Sequence, residues 1–116
     1  MVVPAGSPDA TRRSATLDDV PQLMTVADHI HPDLPEDASI YAERISLFPK
    51  GCHILARPET PTTKASCLGY LISHPIRTAQ PPELNALLGS IPSDADQYYI
   101  HDLALMPETR GQGHAA

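Results

Sequence analysis

The residues best suited to chemistry lie near the end of the chain. "YYIHDLAL" (98 to 105) places His101 and Asp102 inside an aromatic and aliphatic run that stops at Pro107. Arg110, Gly111, Gln112, Gly113, His114 and Ala115 follow. Two glycines at this spacing let successive backbone N–H groups turn toward one point, and the start of a following helix would add its positive end, a combination suited to pyrophosphate. An imidazole, with an ordinary pKa near 6.5, suits proton transfer at neutral pH, whereas a carboxylate needs burial to reach that range. His101 and Asp102 are therefore the two candidate bases. Period-2 alternation puts them on opposite faces of a strand unless a bulge intervenes. The competing roles are packing for His101, ring orientation or capping for Asp102, and a plain flexible tail for the glycines. Tyr98 and Tyr99 read as groove-lining or packing residues.

Other clusters carry less. "DHIHPD" holds Asp28, His29, His31 and Asp33, but positions two apart on a helix point in different directions, so it reads as a solvated helix end. Cys52, His53 and Cys67 supply too few ligands at compatible spacing for a closed zinc site, and the two cysteines read as packing thiols. No metal is expected. No G-x-S-x-G elbow marks a serine nucleophile.

These residues need elements to hold them. "TRRSAT" (11 to 16) reads as a short first strand. In "LDDVPQLMTVADHIHPD" the residues Leu17, Val20, Leu23, Met24, Ala27 and Ile30 share one helical face, with Asp18 as N-cap and Pro21 in the first turn. "EDASIYAERISLF" puts Ala38, Tyr41, Ile45 and Phe48 on one side of a second helix closed by Pro49 and Gly51. "CHILA" (52 to 56) and "CLGYLIS" (67 to 73) read as an antiparallel hairpin with a long connection. Residues 75 to 97, with four prolines around "ELNALLGSI", read as an excursion holding one short helix. The expected class is α/β of the α+β kind: a mainly antiparallel sheet of about four strands in the order β-α-α-β-β-(short α)-β.

The chain of 116 residues fits one small domain burying roughly two-thirds of its unfolded surface. A net charge of −6 argues against broad contact with nucleic acid or anionic lipid and favours cationic partners such as amines. Two cysteines without a C-x-x-C make a poor disulfide framework, which suggests a reducing, cytoplasmic setting. No apolar run approaches the roughly 20 residues that span a bilayer. Residues 1–10 read as a flexible leader.

"LALMPETRGQGHA" resembles the cofactor motif of the GNAT family of N-acetyltransferases: a strand, a proline, then Q/R-x-x-G-x-G/A, matched by Arg110, Gly113 and Ala115. "LDDVPQL" resembles the opening of that family's first helix. The resemblance covers residues 11–116 and implies an incomplete GNAT-like fold, a partial N-acetyltransferase domain lacking the C-terminal helix and strands. It implies acetyl-CoA as co-substrate and acetyl transfer to a primary amine of a small molecule or peptide. Backbone groups of Leu103, Ala104 and Leu105 would meet the pantetheine arm, with the Leu105 N–H near the thioester oxygen, and Gly111 to Ala115 would hold the pyrophosphate. A partial domain is expected to be weak or inactive, and its last strand to be an edge open to self-association. The alternatives are a non-catalytic GNAT remnant acting as an interaction module, or a small α/β binding protein.

Overall fold

The computed structural model describes residues 10–62 and 64–107. Four antiparallel strands, β1 (Thr11–Ser14), β2 (Cys52–Arg57), β3 (Ser66–Ile76) and β4 (Gln97–Leu105), form one sheet in sequence order. Helices α1 (Val20–Ile30) and α2 (Ala38–Leu47) cover one face of it. No helix among the described residues is long and apolar enough to cross a membrane.

Of the face read from the sequence α1 buries Val20, Leu23 and Ala27, with Val26 beside them, and α2 buries Tyr41 and Ile45, with Ile40 beside them. All but Ile40 cluster with Cys52, Ile54, Tyr70 and Ile72 from the sheet, an alternating set that faces the helices. The start of α1 differs from expectation. A single 3₁₀ turn (Leu17–Asp19) precedes it, and Asp19 rather than Asp18 is the capping position. Convergence on its last residue pins that turn: the Asp19 carboxylate accepts the Thr16 N–H at 2.8 Å and both terminal Arg13 guanidinium nitrogens at 2.7 and 2.6 Å. Leu17, displaced into that turn, is exposed.

β3 runs past the expected stop at Ser73 and carries Pro75 within it. Pairing with β2 ends at Ile72, so residues 73–76 pair only with β4, and the missing proline N–H costs no ladder bond on the open side. At the junction the Ser73 hydroxyl donates to the Gly51 carbonyl at 2.8 Å.

The excursion between β3 and β4 contains no helix, which corrects the expected short one. Its backbone is held by carboxylates from elsewhere. Glu36 accepts the Asn85 N–H at 2.9 Å, and Glu43 accepts the N–H groups of Leu88 and Gly89 at 2.7 and 2.9 Å. Asn85 and Gly89 take positive φ, 60° and 78°, which a helix does not allow. Leu84 and Leu87 point to solvent, so no buried stripe exists to drive a helix there. The fully buried Arg44 donates to the Ala86 carbonyl at 3.0 Å and ties the excursion to α2.

Candidate functional site

The decisive local feature is a β-bulge. Ile72 pairs with Asp102 and Ser73 with Ile100, so His101 is an extra residue on β4. An inserted residue breaks strict alternation. His101 and Asp102 consequently both address the helix-covered side, not opposite faces.

Each finds a partner there. Asp102 Oδ2 accepts the hydroxyls of Tyr41 at 3.0 Å and Tyr70 at 2.7 Å, while Oδ1 lies 3.1 Å from His31 Nε2. Burial raises the pKa of Tyr41 well above the usual phenol range, helped by the Asp102 charge, and Tyr70 likewise is raised by burial and its bond to Asp102. Both stay protonated and remain donors. His101 Nε2–H donates to Glu36 Oε1 at 2.7 Å, with both side chains almost fully buried. The second oxygen of Glu36 is the one that holds Asn85, so this carboxylate joins the imidazole to the excursion. His101 Nδ1 is buried without a hydrogen-bond partner. The His101 ring lies beside Tyr99 and His74, with centroids 6.1 and 6.2 Å away. Burial lowers the His74 pKa, against its bond to the Pro75 carbonyl.

The two carboxylate–imidazole pairs border one cleft of about 360 Å³, with Leu34, Leu84, Ile100 and Leu103 at its rim. Sequence reasoning missed His31, Glu36, Tyr41 and Tyr70 as site residues. His31 belongs to the cluster read as a solvated helix end, and its contact with Asp102 together with its hydrogen bond to the Leu103 carbonyl corrects that reading. Tyr41 offered a signal: a tyrosine on a predicted core face needs a buried acceptor for its hydroxyl. His29 is exposed and lines a separate hollow with Cys67 and Met106. Among the described residues no group of three or more His, Cys, Asp or Glu side chains is placed to hold a metal ion. Cys52 and Cys67 are free thiols, and burial pushes the Cys52 pKa up to about 11.

Leu103, Ala104 and Leu105 close β4, opposite Leu71, Tyr70 and Gly69. Within the described residues β4 is an edge strand, the kind of backbone that an extended, amide-bearing chain can line. A CoA thioester carries a chain of that kind in its pantetheine arm. The expected pyrophosphate residues Arg110, Gly111, Gln112, Gly113, His114 and Ala115 lie outside the described residues.

No family model matches the chain, and no curated protein matches it in sequence. Solved structures do match. The loading GNATL domain of CurA from Lyngbya majuscula aligns with a TM-score of 0.69 at 17% identity, covering 90% of this chain and 52% of that one. The GphF GNAT-like decarboxylase in complex with isobutyryl-CoA aligns with a TM-score of 0.65 at 17% identity, covering 87% and 51%. The fold is GNAT-like. The chain spans about half the length of the solved chains it matches. On this GNAT-like frame, the His101 bulge and the cleft beneath it sit on the last described strand.

Proposed function

We propose that this chain carries the acyl-donor side of a CoA-dependent N-acyltransferase site, moving the acetyl group of acetyl-CoA to a primary amine of a small molecule or peptide. The observation that carries the reading is the bulge that brings His101 and Asp102 to one cleft on a GNAT-like fold. The isobutyryl-CoA held by a structure of the same fold supports a CoA thioester as the donor. A primary amine resembling lysine has a pKa near 10.4, so its ammonium must lose a proton before attack, and a carboxylate-held imidazole suits that step. His101 and Asp102 bring two carboxylate–imidazole pairs, His101 with Glu36 and His31 with Asp102, to the cleft as candidates for that step. Leu103, Ala104 and Leu105 would line the pantetheine arm, and Arg110 to Ala115 the pyrophosphate. A net charge of −6 favours a cationic acceptor. The free thiols suit a cytoplasmic setting, and the exposed Tyr98, Ile100 and Leu103 along β4 would support self-association.

One finding favours a second reading, since a neighbour of this fold is a decarboxylase. In that case the cleft would accept a carboxylated acyl-CoA and release CO₂ with no amine present. Thermal unfolding of the chain with acetyl-CoA is the first test. Ligand at 100 times its Kd adds about 2.7 kcal/mol, a rise in Tm of several degrees for a domain this size. An unchanged cooperative transition at millimolar acetyl-CoA refutes the reading. If binding is seen, thiol release that requires amine supports transfer, and CO₂ release from a carboxylated acyl-CoA without amine supports the second reading.

A further inference from the structure

We infer that His31, at the C-terminal end of α1, is the group that takes the proton from the acceptor amine, with Asp102 as its positioning residue. This rests on the acyl-transfer reading above.

The argument begins with the proton on His31. Two acceptors converge on Nε2: Asp102 Oδ1 at 3.1 Å and the Leu103 carbonyl at 3.3 Å. A nitrogen facing two acceptors must carry the hydrogen, so the neutral ring keeps its lone pair on Nδ1. Asp102 cannot turn away, because Tyr41 and Tyr70 clamp its other oxygen. The imidazole is thus set in one tautomer by its hydrogen bond to the Leu103 carbonyl and by the adjacent, largely buried carboxylate that two tyrosines hold in place. His31 keeps 31% of its side chain exposed and lines the cleft, whereas His101 is 5% exposed with its Nε2 committed to Glu36. Of the two imidazoles, His31 is the one an acceptor can touch and the one that can return its proton to water. Its position beside the Leu103 carbonyl also places it at the strand segment expected to line the acyl donor.

The step balances without another reactant. His31 Nδ1 takes one proton from R–NH₃⁺, giving R–NH₂ and an imidazolium that releases the proton to solvent. The amine lone pair forms the C–N bond to the thioester carbonyl carbon, the C–S bond breaks, and the second nitrogen proton ends on the departing thiolate. The titratable groups around His31 are Asp102 and His101 on β4, Glu36 on the segment before α2, the tyrosines behind Asp102, and Asp28, His29 and Asp33 near its own helix end.

The test uses the full chain and two readouts. In ¹⁵N-histidine NMR, neutral His31 is expected to carry its proton on Nε2, and Asp102→Asn to weaken that preference, the Leu103 carbonyl remaining as acceptor. A primary amine such as n-butylamine, added with acetyl-CoA, is expected to shift the His31 nitrogens more than those of His101. In a sensitive thiol-release assay, His31→Gln is expected to cut turnover at pH 7 by about 10²-fold or more, with acetyl-CoA affinity unchanged and the deficit shrinking toward pH 10 as free amine accumulates. His31→Asn serves if the glutamine variant does not fold. A proton on Nδ1, or turnover equal to wild type in a folded His31 variant, overturns this inference alone. A wild-type chain that ignores acetyl-CoA overturns the acyl-transfer reading, and this inference with it.

Discussion

The Asp102 clamp makes a quantitative prediction that is independent of any substrate. Tyr70 is buried and donates its hydroxyl to Asp102 at 2.7 Å. A hydrogen bond to a charged group contributes about 1.5–3 kcal/mol, against about 1 kcal/mol for a neutral pair. Tyr70→Phe should therefore destabilise the wild-type chain by about 2 kcal/mol. In an Asp102→Asn background the hydroxyl meets only an amide oxygen, and the same substitution should cost about 1 kcal/mol. The coupling of about 1 kcal/mol exceeds the error expected for independent sites, about 0.3–0.5 kcal/mol. Urea unfolding of the four proteins measures it, with a constant m-value as the check that the unfolded states are comparable. Costs that add within about 0.3 kcal/mol would refute the clamp, and with it the physical reason for placing the His31 proton. A smaller coupling is expected for Tyr41→Phe, whose bond to Asp102 is longer at 3.0 Å.

Gly51→Ala should be severely destabilising, because an added Cβ would overlap the Ser73 carbonyl oxygen and lie 2.8 Å from both the Phe48 ring and the Tyr98 hydroxyl. A loss of about 1–3 kcal/mol or more in chemical denaturation is expected, and tolerance of alanine would contradict the close packing at this junction. Burial holds the His74 pKa below its ordinary 6.5, so the unfolded chain binds the proton more readily. The stability this residue allows is full above pH 6.5 and is lost progressively as pH falls below it; His74→Gln should flatten that part of a Tm-against-pH curve. Asp19, held to a pKa of about 2 chiefly by its bond to Arg13, behaves differently. Its contribution is present above the ordinary 3.8 and disappears as pH falls toward about 2. Solvent screening keeps it near 1 kcal/mol, and Asp19→Asn should remove the corresponding acid-side slope.

How far the sequence discloses this site depends on how local each cause is. The faces of α1 and α2 and the positions of β2 and β4 follow from periodicity, because helix and strand repeats are written in neighbouring residues. The excursion does not follow. Its leucines and single glycine suit a short helix, but Glu36 and Glu43, more than 40 positions upstream, take the N–H groups such a helix would use. The extension of β3 past Ser73 is hidden for a similar reason: Pro75 breaks a ladder only where a neighbour exists, and β2 stops pairing at Ile72. Neither partner is visible from the segment itself.

The site shows the same division more sharply. His101 and Asp102 stand out by residue type, and strict alternation sets them apart; the extra residue opposite β3 brings them together, and only the pairing register reveals it. With the bulge in place, Asp102 meets two tyrosines contributed by α2 and β3 and a histidine contributed by α1. These residues lie 61, 32 and 71 positions away, so no spacing motif links them. What could have been inferred is the demand for an acceptor: Tyr41 on a predicted helix face and Tyr70 within a predicted apolar strand need somewhere to place their hydroxyls, and a strand aspartate is one of few candidates. From that demand, Asp102 reads as a carboxylate that holds other groups in place. The proton-accepting role then passes to the ring it holds, which lies at a helix end and not on the strand.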